Sequence, residues 1–239
     1  MLRRALLAAS RSDRLERLIT AAPPTRGVVR RYVAGERIAD AVRVVGELRR
    51  EGLLVSVDRL GEDVTRAAEA TAVADAYLDL LAALTEHGLA AGTDLSVKPS
   101  ALGLRVSARL ARDNIARICA AAERAGATVT IDMEEPAAVE ATYALHADLR
   151  KDHPATGVVV QSYLLKAEEY CRALADCRVR LCKGAYRPPP GVAYRSAREV
   201  DRSFARCLRV LMAGPGYPMI ATHDPRLLEI AAALAVLHG

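Results

Sequence analysis

Aromatic side chains are scarce in this chain of 239 residues, which has one Phe and no Trp. A flat ligand would therefore have to be held mainly by aliphatic walls and polar groups. Lysine is also scarce, so nearly all of the positive charge is carried by arginine, and the net charge is +5. The arginines alternate with Asp and Glu along predicted helix faces, which is typical of a solvated surface. A patch that binds nucleic acid would instead gather Lys and Arg on one face, and none is indicated.

Cysteine usage excludes a disulfide framework and a zinc site. The cysteines are odd in number and have no C-x-x-C spacing; they are Cys119, Cys171, Cys177, Cys182 and Cys207. This pattern fits a reducing cytoplasm and predicts no metal site. Charged residues interrupt the basic stretch 1–19, so it does not have the apolar core of a signal peptide, and no segment is long enough to span a membrane. We expect a soluble, cytoplasmic protein.

The chain divides by pattern into two parts. Residues 1–52 predict a helical segment, broken at Pro23-Pro24, in which residues 35–50 place apolar side chains on one helical face. Residues 53–239 alternate between predicted strands and helices. The strands are predicted at 53–57, 94–98, 129–133, 157–163, 179–182 and 218–222. The helices are predicted at 64–87, 107–124, from Pro136, 166–175, 196–212 and from Pro225, where Asp224 is the expected N-cap.

Strands that alternate with helices predict an α/β protein with a parallel sheet. The strand–helix units are near 30 residues each, and a closed eight-fold barrel needs about 250 residues. We therefore predict an incomplete (βα)8 TIM-type barrel of about six units, preceded by N-terminal helices. An open doubly wound sheet is the alternative. It is disfavoured because no Gly-x-Gly-x-x-Gly follows a strand, and because polar residues end every strand instead of marking one switch point.

Ionisable side chains lie at the predicted strand ends, among them Lys98, Asp132, Arg180, Lys183 and His223. Because the carboxyl ends of parallel strands share one rim, this arrangement predicts an active site there and makes an enzyme the leading hypothesis. A barrel lyase that uses Lys98 or Lys183 as a Schiff-base nucleophile is a second hypothesis. Structural roles are the competing interpretation: Asp132 and His223 as helix caps, and Lys98 as a solvated strand end.

The pair Glu134-Glu135 resembles an acid/base device, but adjacent residues point to different sides. We interpret both as acidic residues at a helix N-terminus.

Six sequence blocks resemble, in order and spacing, the successive strands of the proline dehydrogenase family, in particular its short monofunctional bacterial type. The resemblance extends from about Arg31 to the end of the chain, and the block at residues 180–186, R-L-C-K-G-A-Y, is its most specific part. The other blocks lie at residues 57–62, 97–103, 130–134, 161–164 and 221–224.

The resemblance implies a distorted (βα)8 barrel that holds FAD across its C-terminal rim. It implies oxidation of L-proline to Δ1-pyrroline-5-carboxylate, with a quinone as electron acceptor, and it allows peripheral association with the inner face of the membrane. Lys98 would face the proline carboxylate, and Asp132 and Arg180 would be the catalytic residues. The residues expected to line the flavin are Met133, Gln161, Lys183, Gly184, Ala185, Thr222 and His223.

One departure from the family pattern concerns the C-terminal part. The family has a final helix with a Tyr-x-x-Arg-Arg motif, which binds the proline carboxylate, and two further strands that close the barrel; neither is found here. We expect that the chain is a fragment of a longer gene product or that these pieces come from elsewhere. A truncated or degenerate homologue without activity is a further alternative.

Overall fold

A computed structural model of the protein describes residues 33–238. The chain divides into two compact units between Leu53 and Leu54, and each is considered by itself. The described part of the first unit contains helix α1 (Ile38–Arg50), on which Val42 and Val45 are buried. The helical pattern predicted before Pro23-Pro24 lies outside the described residues.

The second unit repeats one strand and one helix six times. Its strands are β1 (Ser56–Asp58), β2 (Asp94–Val97), β3 (Thr128–Ile131), β4 (Gly157–Gln161), β5 (Arg178–Cys182) and β6 (Tyr217–Ala221). Its helices are α2 (Ala67–Glu86), α3 (Ala108–Arg124), α4 (Val139–Leu149), α5 (Ala167–Ala173), α6 (Ala197–Met212) and α7 (Pro225–His238), with a 3-10 turn at Pro136–Ala138. No helix within residues 33–238 is both long enough and apolar enough to cross a membrane.

The strands form one sheet in chain order, and every neighbouring pair is parallel. This order confirms the predicted parallel α/β architecture. The doubly wound alternative is wrong, because such a sheet reverses its strand order at a switch point. The sheet curves strongly enough that Arg180 on β5 reaches Ser56 on β1. The concave side of the curved sheet is called the lumen below.

The first strand begins later than predicted. Leu53 and Leu54 are exposed and precede β1, since Leu53 N donates to Leu48 O and Gly52 takes a φ of 80°. This is the hydrogen bond that commonly ends a helix at a left-handed glycine. The apolar pair therefore follows the end of α1 instead of entering the sheet.

Capping residues fix where several helices begin. Ser107 accepts a hydrogen bond from Leu110 N at the start of α3, and Ser196 forms a capping box with Glu199 at the start of α6. Asp224 Oδ1 accepts from the N–H of Arg226 in the first turn of α7, as the sequence predicts. Because each of these helices follows a loop at the carboxyl end of a strand, the caps also set the positions of the rim loops.

The two faces of the sheet differ in chemistry. The side chains that face the helices are apolar and buried, among them Leu95, Val97, Ile131, Val158 and Leu181. The alternate side chains face the lumen and include many polar or charged groups: Asp94, Ser96, Thr128, Thr130, Arg178 and Arg180. Barrel interiors are usually filled by branched apolar residues. The polar lumen therefore marks the part of this fold where chemistry is expected.

We predict that His146 makes stability depend on pH. Its ring is 1% exposed, its Nε2 lies 3.1 Å from Thr156 O, and burial lowers its pKa from the usual 6.5. The unfolded chain therefore binds more protons, so the free energy of unfolding should fall as pH drops below about 6.5. Urea denaturation of wild type and His146→Gln between pH 7.5 and 5.5 checks this. His87→Gln, on the exposed end of α2, is the control and should keep the slope; an unchanged slope in His146→Gln would contradict the prediction.

Candidate active site

Both terminal nitrogens of the Arg180 side chain, on β5, donate hydrogen bonds to other side chains. Nη1 donates to Ser96 Oγ at 2.6 Å and to Asp132 Oδ1 at 2.9 Å. Nη2 donates to Ser56 Oγ at 2.8 Å and to Asp94 Oδ2 at 2.7 Å. Each nitrogen thus meets one hydroxyl and one carboxylate, and the side chain is 16% exposed. These charge-assisted bonds fix the plane of the guanidinium group.

Asp132 follows β3 directly and lies between two cations. Its Oδ1 accepts from Ser96 Oγ at 2.8 Å as well as from Arg180, and its Oδ2 is 3.9 Å from Lys98 Nζ. Burial raises the pKa of this carboxyl group, and the positive charge of Arg180 is the largest influence in the opposite direction. The structure thus brings together the three residues predicted as catalytic or substrate-binding. Asp132 does not cap the following 3-10 turn, whose N-cap position is Glu135.

Lys98 follows β2 and bridges two carboxylates. Its Nζ is 2.5 Å from Asp58 Oδ2, and the more distant partner is Asp132. The Lys98 side chain is 17% exposed, so it is partly accessible at the rim. It is therefore placed to bind an anion, provided that the anion competes with Asp58.

Gln161 and Met133 lie together at the ends of β4 and β3. The amide nitrogen of Gln161 donates to Met133 O at 3.1 Å and to Glu134 O at 3.2 Å. Its Oε1 is buried and has no donor among the described residues. Met133 is 5% exposed. The pair therefore forms a buried edge of the rim with one unsatisfied acceptor.

Lys183 takes part in a compact cluster of charges. Its Nζ lies 2.7 Å from Asp201 Oδ1 and 3.0 Å from Asp224 Oδ2, and Arg226 Nη2 bridges the same two carboxylates at 2.9 and 2.7 Å. The interaction that the Lys183 ammonium group makes with the Asp201 carboxylate is the largest cause of the raised pKa of Lys183. Lys183 therefore ties the end of β5 to the first turns of α6 and α7.

Gly184 follows Lys183 and has a φ of 101°, a backbone conformation that residues other than glycine rarely adopt. A Cβ atom at this position would overlap the ring of Tyr163. Tyr163 is 6% exposed and its N–H donates to Lys183 O. The need for glycine thus arises here from the positive φ and from a packed tyrosine.

The remaining residues expected near a flavin lie on the same rim. Ala185 and His223 are exposed, and Thr222 is half-buried. Thr222 Oγ1 accepts a hydrogen bond from Asp224 N at 3.1 Å, at the start of α7. The structure therefore collects the residues expected near a flavin at the carboxyl ends of β3 to β6, whereas Arg180 lies in the middle of β5.

Sequence reasoning missed the partners of the predicted residues. Asp58, Asp94, Ser56 and Ser96 were not identified as site residues, yet they hold Lys98 and Arg180. A signal was present, because Asp94, Ser96 and Lys98 recur at every second position and must share a face of β2.

The interpretation of Glu134 as a helix N-terminal acid is wrong. Glu134 is 4% exposed and accepts hydrogen bonds from both the N–H of Ser100, at 2.8 Å, and the Ser100 hydroxyl. Burial raises the pKa of this carboxyl group. Its role is to join the loop after β3 to the loop after β2, a long-range contact that local sequence does not encode.

Among residues 33–238, the charges in the lumen balance. Its cations are Lys98, Arg178 and Arg180, and its carboxylates are Asp58, Asp94 and Asp132. No group of three or more His, Cys, Asp or Glu side chains within residues 33–238 is placed to hold a metal ion. Chemically, the arrangement offers a fixed cation, an accessible ammonium group and a carboxylate between them.

Known proteins resemble this chain over most of its length. The sequence model of the family described as "Proline dehydrogenase" matches residues 41–239. "Proline dehydrogenase 1" of Bacillus subtilis (strain 168) is 33% identical over 216 residues, which is 90% of this chain and 71% of the relative. "Proline dehydrogenase" of Deinococcus radiodurans is 30% identical over 246 residues, covering 99% of this chain and 77% of the relative.

A solved structure shares the fold. Proline utilization A (PutA) from Bdellovibrio bacteriovorus superposes with a TM-score of 0.82 at 22% identity. The match covers 89% of this chain and 27% of the PutA chain. It confirms the predicted incomplete (βα)8 barrel.

We predict that Gly184→Ala destabilises the protein more than Gly191→Ala does. Both glycines have positive φ (101° and 81°), but an added Cβ meets the Tyr163 ring at Gly184 and no heavy atom within 4 Å at Gly191. The backbone cost of about 1–2 kcal/mol is common to both, and overpacking adds about 1–3 kcal/mol at Gly184 only. Urea denaturation gives the two free energies of unfolding. Equal losses would show that Tyr163 does not require a glycine here.

Proposed function

The chain belongs to the proline dehydrogenase family, and from this premise we propose that it oxidises L-proline to Δ1-pyrroline-5-carboxylate. The proposal includes FAD as the cofactor, which would supply the hydride acceptor, and a quinone as the final electron acceptor. The observation that carries it is the Arg180 guanidinium, which is fixed between the carboxylates of Asp94 and Asp132 at 2.7 and 2.9 Å. A fixed cation beside an accessible Lys98 suits a reaction in which a carboxylate binds and negative charge develops nearby.

The residues at the rim fit a flavin. Gln161 Oε1 is buried without a donor among the described residues, and such an acceptor costs about 1–3 kcal/mol. An N–H group of a flavin ring would satisfy it. Met133 supplies an apolar contact beside Gln161, and Thr222 and His223 lead into the N-terminus of α7, a favourable position for a pyrophosphate. Lys183, Gly184 and Ala185 complete the set that would hold the cofactor.

When bound, FAD supplies the two-electron acceptor that side chains lack. The C=N bond of the product joins the ring nitrogen to the ring carbon away from the carboxylate. A hydride would therefore pass from that carbon to the bound flavin, and a proton of the nitrogen would pass to solvent. The protein's contribution is to orient the substrate and to set the electrostatic potential around it.

Lys98 is the residue proposed to bind the proline carboxylate. Its side chain is 17% exposed, and the nearest partner of its ammonium group is Asp58 at 2.5 Å. Asp132 Oδ2 lies 3.9 Å from the same ammonium group, so it can accept a hydrogen bond from the substrate nitrogen while Oδ1 stays with Arg180. Substrate would then lie between a cation and a carboxylate, which fixes its direction.

Arg180 is proposed to stabilise the negative charge that the cofactor gains on reduction. Its four hydrogen bonds are all made to protein side chains, so the protein itself fixes the guanidinium group. Little reorganisation is needed at the moment of reaction, which is the advantage of a preorganised site. A lysine could not reproduce this, since its ammonium group is a point charge without the planar fork.

No observation favours the Schiff-base lyase. A nucleophilic lysine must be deprotonated, usually by desolvation or by a neighbouring cation. Lys98 is instead paired with Asp58, and the Asp201 hydrogen bond raises the pKa of Lys183. The interaction with Asp201 thus favours the ammonium form of Lys183, and the Lys98 nitrogen is engaged by Asp58. The proposed quinone acceptor is membrane-dissolved, so the proposal includes contact with the inner face of the membrane from the cytoplasm.

We predict that the protein takes up FAD, is yellow, and loses its visible absorbance when L-proline is added without oxygen. The reason is transfer of two electrons from proline to the bound cofactor. Anaerobic spectrophotometry measures it, with buffer in place of L-proline as the control. A protein that stays colourless after incubation with FAD, or whose colour persists with saturating L-proline, would contradict the proposal.

We predict that Arg180→Lys lowers the rate of proline-dependent flavin reduction by a factor of about 10²–10³, the usual cost of losing one preorganised donor. Stopped-flow spectrophotometry measures the rate. Arg117→Lys is the matched control, because Arg117 forms an exposed pair with Asp75 at 2.6 Å on the helical side. A rate for Arg180→Lys within about threefold of wild type would show that the guanidinium serves structure alone.

A further inference from the structure

The Asp94 side chain on β2 is a buried carboxylate, and both of its oxygens accept hydrogen bonds from protein groups. Its Oδ2 accepts from Ser56 Oγ at 3.0 Å and from Arg180 Nη2 at 2.7 Å. Its Oδ1 accepts from Thr128 Oγ1 at 2.8 Å and Thr130 Oγ1 at 2.9 Å. The residue is 7% exposed. A buried charge is tolerated only when it is paired and hydrogen-bonded, and Asp94 meets that condition through three strands besides its own.

A second arginine stabilises the same carboxylate. Arg178 precedes Arg180 by two positions on β5, and its Nη2 lies 3.9 Å from Asp94 Oδ1. Its guanidinium carbon is 4.6 Å from the centre of the Tyr217 ring, and Nη2 also donates to Thr128 Oγ1 at 3.3 Å. Asp94 is therefore held between two cations, so its position does not depend on Arg180 alone.

The two carboxylates that contact Arg180 differ in what else they can do. Asp132 keeps Oδ2 directed near Lys98, where substrate is proposed to bind. Asp94 lies deeper in the lumen, at the start of β2, and both of its oxygens are occupied by protein donors. It has no acceptor to offer a ligand, so its influence on chemistry must pass through Arg180.

We propose that Asp94 is a positioning residue for Arg180. Held by Ser56, Thr128 and Thr130, its carboxylate fixes Nη2 while Asp132 fixes Nη1, so that the guanidinium has one orientation. The inference rests on the proposed function, which places Arg180 beside the cofactor. It adds that the orientation is set from the floor of the lumen, by a residue that touches neither substrate nor flavin.

The first test measures the orientation itself and needs no cofactor. NMR spectra of the arginine guanidinium groups resolve separate Nη signals when rotation about the Cζ–N bonds is blocked; Arg180→Lys identifies the Arg180 signals by their loss. We expect resolved signals for Arg180 in the wild type and merged signals in Asp94→Asn. Asp75→Asn removes the carboxylate of an exposed Arg117 pair and is the matched control, which should leave the Arg180 signals unchanged.

The second test measures the consequence for the reaction by a double-mutant cycle. In the FAD-loaded protein, Asp94→Asn should lower the rate constant of flavin reduction by L-proline about tenfold or more, with the proline KM within about threefold of wild type. In the Arg180→Lys background the same change should alter the rate by less than about threefold, because Asp94 acts through Arg180. An equal loss in both backgrounds would overturn the proposal.

The outcomes separate this inference from the proposed function. Resolved Arg180 signals in Asp94→Asn overturn the positioning role whatever the activity. If L-proline reduces the flavin in none of the proteins, including the wild type, the proposed function fails. The NMR result still decides whether Asp94 positions Arg180. Should Asp94→Asn not fold, Thr130→Val removes one donor to Asp94 without touching Arg180. Broadened Arg180 signals in that variant support the proposal, and unchanged signals refute it.

Discussion

The cost of placing ionised groups inside a barrel is the constraint on which the rest of this structure depends. In the part of the chain that the structure describes, three carboxylates and three cations share the lumen, and each is paired with an opposite charge. Removal of one partner from such a pair leaves a buried charge uncompensated, which is far costlier than loss of an exposed pair. The polar lumen therefore holds the strands together. It also restricts which residue types each lumen position can accept.

The same network couples the strand register to the geometry of the site, because both depend on the same contacts. Arg180 on β5 reaches β1, β2 and the end of β3, so four strands must present the correct faces at once. A slip of one residue in any strand would turn its polar side chains toward the helices and its apolar side chains into the lumen. A fold that satisfies the lumen charges thereby also delivers a fixed guanidinium group to the rim.

Much of this was accessible from the sequence, because it follows from local patterns. Alternation of strands and helices predicted six parallel units, and strand-end residues predicted that Lys98, Asp132 and Arg180 meet. Contacts across the lumen were not accessible, since they depend on how far the sheet curves. The alternation of Asp94 with Ser96 and Lys98 indicated a shared face, but the contact of Asp94 with Arg180 across the lumen was not accessible. Glu134 was misread because its partner Ser100 lies on a different loop.

The most direct test of the central claim is an experimental structure of the protein with FAD bound. The account predicts that Arg180 keeps Asp94 and Asp132 within hydrogen-bonding distance, about 3.2 Å or less, in the loaded protein. It also predicts that the flavin lies over the rim and that one of its N–H groups donates to Gln161 Oε1. A structure in which Arg180 leaves Asp94 to meet the flavin, or in which the flavin binds away from these residues, would contradict a site that is preorganised by the lumen charges.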